Sequence, residues 1–123
     1  MNAFSIIVNL FILILFVLGL KHTYQNFTQK VQHMEIINSL HGFTFFGSKK
    51  CGWSIKQLED LNLDWESKKF TIINCETQAD FCSQNNIKAF PTWRSPNGQL
   101  YTGYRSPSDL KKMIIENSIK EIN

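Results

Sequence analysis

The chain has 123 residues, a formal net charge of +3 and three cysteines, and 43% of its residues are hydrophobic. This length leaves room for one small globular domain once a long apolar N-terminal segment is set aside. The basic residues are spread along the chain instead of forming a stripe or a recognised motif, so we predict no nucleic-acid partner.

The apolar segment at residues 3–20 contains no charged residue. A helix of this length rises about 27 Å, which is enough to cross the hydrocarbon core of a bilayer. No Lys or Arg precedes the segment, so the charged start of a signal peptide is missing, although Val17 and Gly19 would fit a cleavage site. We therefore predict that residues 1–20 are a transmembrane anchor or a signal peptide, and we favour a retained single-pass anchor.

The side of the membrane on which the rest of the chain lies stays open. Lys21 and Lys30 follow the apolar segment, and the positive-inside rule would keep them in the cytoplasm. Asn26 begins a glycosylation sequon, which matters only on the lumenal side. Between the two indications we favour an extracytoplasmic or lumenal domain.

After the anchor, residues 21–36 are predicted to be a tether or first helix, and residues 37–123 a folded domain. Helical spacing of apolar residues is visible over 31–40, and Gly42 ends that helix. The apolar residues at this helical spacing are Val31, Met34, Ile37 and Leu40. A buried aromatic strand is predicted at 43–46.

The chain then predicts a helix from Cys51 to about Leu61, a strand at 69–74 and a short helix at 80–86. Strands at 92–94 and 99–102 flank Asn97-Gly98, which is a strong hairpin signal. A last helix begins near Pro107. The inward positions predicted for this helix are Leu110, Met113, Ile114 and Ile119. The resulting order is α, β, α, β, α, β, β, α.

This order resembles the thioredoxin fold over roughly residues 43–119. Cys51 opens a helix after a buried strand, Pro91 and Thr92 begin a later strand, and a hairpin, Gly103 and a C-terminal helix follow. The resemblance implies an α/β domain with a central mixed sheet flanked by helices. It also implies that Pro91 is a cis-proline facing the Cys51 thiol.

Within that superfamily the chain is similar to the thioredoxin-like domains associated with vitamin K epoxide reductase homologues. Those domains share a cysteine after a strand, a cysteine in the next helix, and Pro-Thr-Trp, Asn-Gly and Leu-Tyr-x-Gly motifs. The matching residues are Cys75, Cys82, Pro91-Thr92-Trp93, Asn97-Gly98 and Leu100-Tyr101-Thr102-Gly103.

The chain departs from this family at its active-site motif, which reads Cys-Gly-Trp-Ser instead of Cys-x-x-Cys. A helix N-terminus stabilises the Cys51 thiolate, and we expect Lys49 and Lys50 to add to this effect if they point inward. Ser54 can donate a hydrogen bond to the sulfur but cannot attack a mixed disulfide, because release requires a second thiolate. We predict that Cys51 forms mixed disulfides with cysteine-containing client proteins.

An external thiol, such as glutathione or a partner oxidoreductase, would then resolve these mixed disulfides, and no cofactor or metal is expected. Thioredoxins carry an acid six residues before the nucleophile, which takes a proton from the resolving thiol. That position is Phe45 here, and because Ser54 replaces the resolving thiol, there is no such proton to accept. The resemblance implies that Phe90, Pro91 and Thr92 contact the substrate, and we expect Trp53 to lie on the rim of the site.

Cys75 and Cys82 leave several alternatives open. A disulfide between them would be a local staple that stabilises the fold by about 2 kcal/mol. In a reducing compartment they would be two free thiols. They could also resolve Cys51, but the resemblance sets them away from the active-site end of the domain.

Two other functions compete with thiol–disulfide exchange. The Cys-Gly-Trp-Ser motif differs by one aromatic residue from the Cys-Gly-Phe-Ser motif of monothiol glutaredoxins, which hold a [2Fe–2S] cluster with glutathione. Their later Gly-Gly-x-Asp loop is absent, since the chain reads Gly-Tyr-Arg-Ser from Gly103. The other alternative is a non-catalytic module that binds clients without turnover. Whether the chain is an enzyme of the oxidoreductase or isomerase type stays open at this stage.

Overall fold

The structure, a computed structural model, describes residues 2–122. Met1 of the predicted anchor segment and Asn123 of the predicted domain lie outside the described residues. The helices and strands follow the predicted order, which is confirmed. They are α1 (Ala3–Ser39), β1 (Thr44–Gly47), α2 (Gly52–Asp60), β2 (Thr71–Asn74), α3 (Ala79–Gln84), β3 (Thr92–Arg94), β4 (Leu100–Thr102) and α4 (Pro107–Ile122).

The chain divides into two compact units, Met1–Met34 and Glu35–Asn123. In the part of the chain that the structure describes, α1 is the one helix long and apolar enough to cross a membrane. Its most apolar 18-residue window has a mean hydropathy of 2.8, and none of that window is buried. A signal sequence near an N-terminus would meet the same criteria of length and composition.

In the second unit, the strands form one mixed sheet in the order β2-β1-β3-β4. Strands β1 and β2 are parallel, with Gly47 opposite Asn74, whereas β3 is antiparallel to both β1 and β4. Parallel strands need a crossover connection, and α2 supplies it between β1 and β2. This mixed sheet with flanking helices is the thioredoxin fold.

The central strand β1 is buried along its whole length, and its side chains point alternately to the two faces of the sheet. Phe45 lies in the larger core cluster, where its ring centroid is 5.0 Å from that of Trp93. Phe46 lies in a second cluster on the other face, with Ile73 and the two cysteines of the β2–α3 region. The larger cluster consists of Ile36, Leu40, Phe43, Phe45, Leu58, Leu61, Phe70, Trp93, Tyr101, Leu110 and Met113.

The prediction of the inward face of α4 is wrong in part. In α4, Leu110 and Met113 are buried as predicted, but Ile119 is 54% exposed. The reason is that an apolar residue at helical spacing faces the core only if a neighbouring element covers that side of the helix.

Candidate functional site

The candidate site lies where β1 ends and α2 begins. Cys51 is the N-cap residue of α2, with φ of −95° and ψ of 117°, and it carries a free thiol that is partly exposed. Its N–H donates to the carbonyl oxygen of Ser48 at 3.0 Å, and its own carbonyl accepts from the N–H of Ile55 at 3.1 Å. This arrangement holds the thiol at the positive end of α2, at the carboxyl edge of the central strand.

The surroundings of the sulfur favour its ionised form. Burial opposes ionisation and by itself would raise the pKa of Cys51. Hydrogen bonds from the N–H and the hydroxyl of Ser54, and from the N–H of Trp53, outweigh that effect. The pKa of the Cys51 thiol therefore lies below its ordinary value, which makes the thiolate more abundant near neutral pH.

Ser54 is completely buried beneath the thiol. Its Oγ accepts a hydrogen bond from the N–H of Ser48 at 3.2 Å, so the hydroxyl proton is left to point to the Cys51 sulfur. Gly47 leaves room for this side chain: a Cβ at Gly47 would be 3.0 Å from Ser54 Oγ and 2.8 Å from Cε1 of Phe45.

The expected contribution of the two preceding lysines is not what the structure shows. Lys49 and Lys50 are both exposed. The Nζ of Lys49 lies over the ring of Trp65, 6.0 Å from its centroid. The hydrogen bonds of Ser54 and Trp53, and not these charges, are the causes that lower the pKa of Cys51.

The proline predicted opposite the thiol lies beside it. The Phe90–Pro91 peptide bond is cis, and the Cys51 thiol donates to the carbonyl oxygen of Phe90 with an Sγ···O distance of 3.6 Å. The Phe90 side chain is 37% exposed, whereas Pro91 and Thr92 are buried. The hydroxyl of Thr92 donates to the carbonyl of Ala89 at 2.8 Å. The structure thus brings Cys51, Ser54 and the 90–92 segment together.

Trp53, two residues after Cys51 on α2, belongs to an aromatic pair. The ring of Trp53, which is 59% exposed, lies 5.5 Å from that of Tyr104 between centroids. The Tyr104 hydroxyl donates to the Asp60 carboxylate, and Lys56 forms an ion pair with Asp60 at 3.2 Å. The hydrogen bond from Tyr104, together with Lys56, lowers the pKa of Asp60, and the same bond raises the pKa of Tyr104. Sequence reasoning missed Tyr104 because it is far from the motif along the chain.

The remaining cysteines, Cys75 and Cys82, form a disulfide. The expectation that they lie away from the active-site end is wrong. Cys75 directly follows β2, which is parallel to β1, and its N–H donates to the carbonyl of Gly47 at 2.8 Å. The disulfide therefore lies at the same edge of the sheet as Cys51. Both of its cysteines are buried, at 6% and 3% exposure.

Gln57 is a second residue near the site that the sequence did not reveal. It lies on α2 and is fully buried, although the apolar pattern of the sequence did not predict burial at this position. Its Oε1 accepts from the N–H of Arg105 at 2.7 Å and from the indole N–H of Trp93 at 3.4 Å, and its Nε2 donates to the Arg105 carbonyl at 3.0 Å. Gln57 thus joins α2 to the segment that carries Tyr104.

Among residues 2–122, no group of three or more His, Cys, Asp or Glu side chains is placed to hold a metal ion.

No protein-family model matches the chain, and no curated protein matches it. Solved structures do show likeness. The oxidised thioredoxin of Plasmodium falciparum is 19% identical, with a TM-score of 0.45, over 67% of this chain and 86% of that chain. Oxidised glutaredoxin 2 of Chlamydomonas reinhardtii is 16% identical, with a TM-score of 0.38, over 76% and 86%.

The first two thioredoxin domains of Saccharomyces cerevisiae Eps1p are 23% identical, with a TM-score of 0.35, over 69% of this chain and 36% of that chain. At these identities and TM-scores, the likenesses carry no argument about activity. The functional argument therefore depends on the geometry of the site.

Proposed function

We propose that this chain is a membrane-anchored thioredoxin-like protein in which Cys51 takes part in thiol–disulfide exchange with cysteine-containing client proteins. The observation that supports this proposal is the position of the sulfur. The free Cys51 thiol is partly exposed at the start of α2, its pKa is lowered, and it lies 3.6 Å from the carbonyl oxygen that precedes the cis-proline. A reactive cysteine needs this combination of exposure and thiolate stabilisation.

In the proposed reaction, the Cys51 thiolate attacks one sulfur of a client disulfide. A bond forms between Cys51 and that client sulfur, the client disulfide breaks, and the other client cysteine leaves as a thiolate that takes up a proton. Ser54 stabilises the Cys51 thiolate before attack and again when it is the leaving group. Because a serine hydroxyl cannot displace the client, release needs a thiolate from elsewhere.

The origin of that second thiolate decides the outcome. If the client's own cysteine attacks, Cys51 is freed and the client disulfide has been exchanged for another, which is isomerisation. If glutathione or a partner oxidoreductase attacks the Cys51 sulfur, Cys51 stays attached to that thiol and the client leaves with both cysteines reduced. The resemblance to domains associated with vitamin K epoxide reductase homologues makes a membrane oxidoreductase a suitable partner class.

For the substrate contacts, we assign the exposed side chains of Trp53 and Phe90, together with the buried Pro91 and Thr92. An extended client segment along this edge would place its cysteine at Cys51. The Cys75–Cys82 disulfide supports a domain in an oxidising compartment, on the extracytoplasmic or lumenal side of the membrane.

The test uses the full chain in detergent micelles, mixed with a peptide that contains a disulfide. We expect mass spectrometry without reductant to show a mixed disulfide between Cys51 and the peptide. Glutathione should cleave this mixed disulfide. The Cys51→Ser variant should form none. A matched gain-of-function variant, Ser54→Cys, should release the peptide without added thiol, because it supplies the missing resolving thiolate.

Two results would replace the proposal by its rivals. Client capture that is equally strong in Cys51→Ser would mean that the protein is a non-catalytic binding module. A purified protein with the visible absorbance of an iron–sulfur cluster, lost in Cys51→Ser, would favour the monothiol glutaredoxin function.

A further inference from the structure

Ser48 is the residue that organises the turn between β1 and α2, and every polar atom it has is used. Its carbonyl oxygen accepts from the N–H of Cys51 at 3.0 Å, and its N–H donates to Ser54 Oγ at 3.2 Å. Its Oγ accepts from the N–H of Lys50 at 3.1 Å. These bonds set both the backbone of the nucleophile and the hydroxyl beneath it.

The remaining hydrogen bond of Ser48 connects the turn to a residue that is distant along the chain. Its hydroxyl proton is donated to Oε1 of Glu76 at 2.7 Å, across 28 positions of the sequence. A hydrogen bond to a carboxylate is stronger than one between neutral groups; Ser48 is only 7% exposed, whereas Glu76 is exposed. Glu76 therefore holds the orientation of the Ser48 hydroxyl, which in turn receives the Lys50 N–H.

Glu76 is itself held in place by the neighbouring disulfide. It directly follows Cys75, whose N–H is bonded to the Gly47 carbonyl and whose sulfur is bonded to Cys82 in α3. The N–H of Glu76 also donates to Oδ1 of Asn74 at 3.2 Å. The disulfide thus restrains the segment that presents the Glu76 carboxylate to Ser48.

We propose that Glu76 is a positioning residue for Cys51, acting through Ser48, and that the Cys75–Cys82 disulfide regulates the reactivity of Cys51 by holding Glu76 in place. This inference rests on the proposed exchange function. With the disulfide intact, the turn presents a reactive thiol. When a dithiol reduces the disulfide, two electrons and two protons pass to Cys75 and Cys82, the dithiol becomes a disulfide, and the restraint on Glu76 is lost.

The experiment measures the rate at which iodoacetamide alkylates Cys51 in the full chain in detergent, at several pH values, with mass spectrometry identifying the Cys51 peptide. Glu76→Ala should slow alkylation near neutral pH by up to about tenfold, because the lost hydrogen bond to a charged group acts on Cys51 only through Ser48. Glu76→Gln keeps an acceptor oxygen and should recover part of the rate. Glu59→Ala, which removes an exposed carboxylate elsewhere on the domain, should react like the parent.

The disulfide is tested with the double variant Cys75→Ala/Cys82→Ala, in which Cys51 is the remaining thiol. We expect slower alkylation than in the parent, and little further loss when Glu76→Ala is added, because the two changes remove the same restraint. Circular dichroism tests whether each variant is folded. If Glu76→Ala does not fold, Ser48→Ala removes the same hydrogen bond from the other side and should slow alkylation similarly.

A folded Glu76→Ala or Ser48→Ala variant that reacts at the parental rate, with the same pH profile, would overturn the positioning role. A loss caused by Glu76→Ala that is equally large with and without the disulfide would overturn the regulatory link. Failure of the exchange function looks different: the parent would form no mixed disulfide with a client, although its alkylation would still depend on Glu76.

Discussion

Replacing Gly47 by alanine tests the packing that connects the core to the candidate site. Gly47 is the last residue of β1, and a Cβ there would lie 2.8 Å from Cε1 of Phe45 and 3.0 Å from Oγ of Ser54. Carbon atoms in favourable contact are separated by about 3.5–4.0 Å, so the Phe45 ring would have to move by more than half an ångström. Phe45 cannot move easily, since its ring is fully buried and packs on Trp93 and Trp65.

Forcing an extra methyl group into a packed core costs about 1–3 kcal/mol of folding free energy. For a domain of this size, each kcal/mol lowers the melting temperature by roughly 4–8 °C, so Gly47→Ala should melt roughly 5–20 °C below the parent. The displacement of Ser54 should also weaken its hydrogen bond to the Cys51 thiolate. We therefore expect the pH profile of Cys51 alkylation to move upward as well.

The assay is thermal unfolding followed by circular dichroism, with Gly52→Ala as the matched control. Gly52 begins α2 beside the nucleophile, but a Cβ there would meet no atom within 4 Å. Alanine also favours a helix over glycine, so this control should melt at or above the parental temperature. If Gly47→Ala melts with the parent, or if Gly52→Ala is destabilised as much, the steric reasoning is refuted.

Three further predictions concern the hydrogen bonds and the disulfide. Ser54→Ala should raise the pKa of Cys51 and shift its alkylation to higher pH, and equal pH profiles would contradict this. The depressed pKa stabilises the fold above the unfolded pKa, and this contribution is lost as pH falls through the folded pKa. The variant should therefore lose more stability in alkaline than in acidic buffer, where only the lost partner of the Ser48 N–H counts. Gln57→Ala should cost about 2–4 kcal/mol in denaturant unfolding, because the buried indole N–H of Trp93 and the partly buried backbone groups of Arg105 lose their partners. A cost below about 1 kcal/mol would mean that water replaces the amide. Cys75→Ala/Cys82→Ala should cost about 2 kcal/mol for so short a loop, and adding reductant should destabilise the parent but not this variant.

Local patterns in the amino-acid order were enough to predict the succession of helices and strands. The apolar run near the N-terminus, the Asn97-Gly98 turn and the proline that begins α4 each act on their immediate neighbours, so no distant contact is needed to recognise them. Placing Cys51 at a helix start beside Pro91 depended on the resemblance to the thioredoxin fold. That part agrees with the geometry, as the 3.6 Å contact between Cys51 and Phe90 shows.

Other features arise only when distant segments pack together. The parallel register of β1 and β2 brings Cys75 and Glu76 to the turn before Cys51, although they are far from it along the chain. Gln57 looks like an ordinary exposed helix residue until Arg105 and Trp93 surround it. Strand register and packing depend on the whole sheet, and for this reason a periodic pattern within one segment does not reveal which residues share the site.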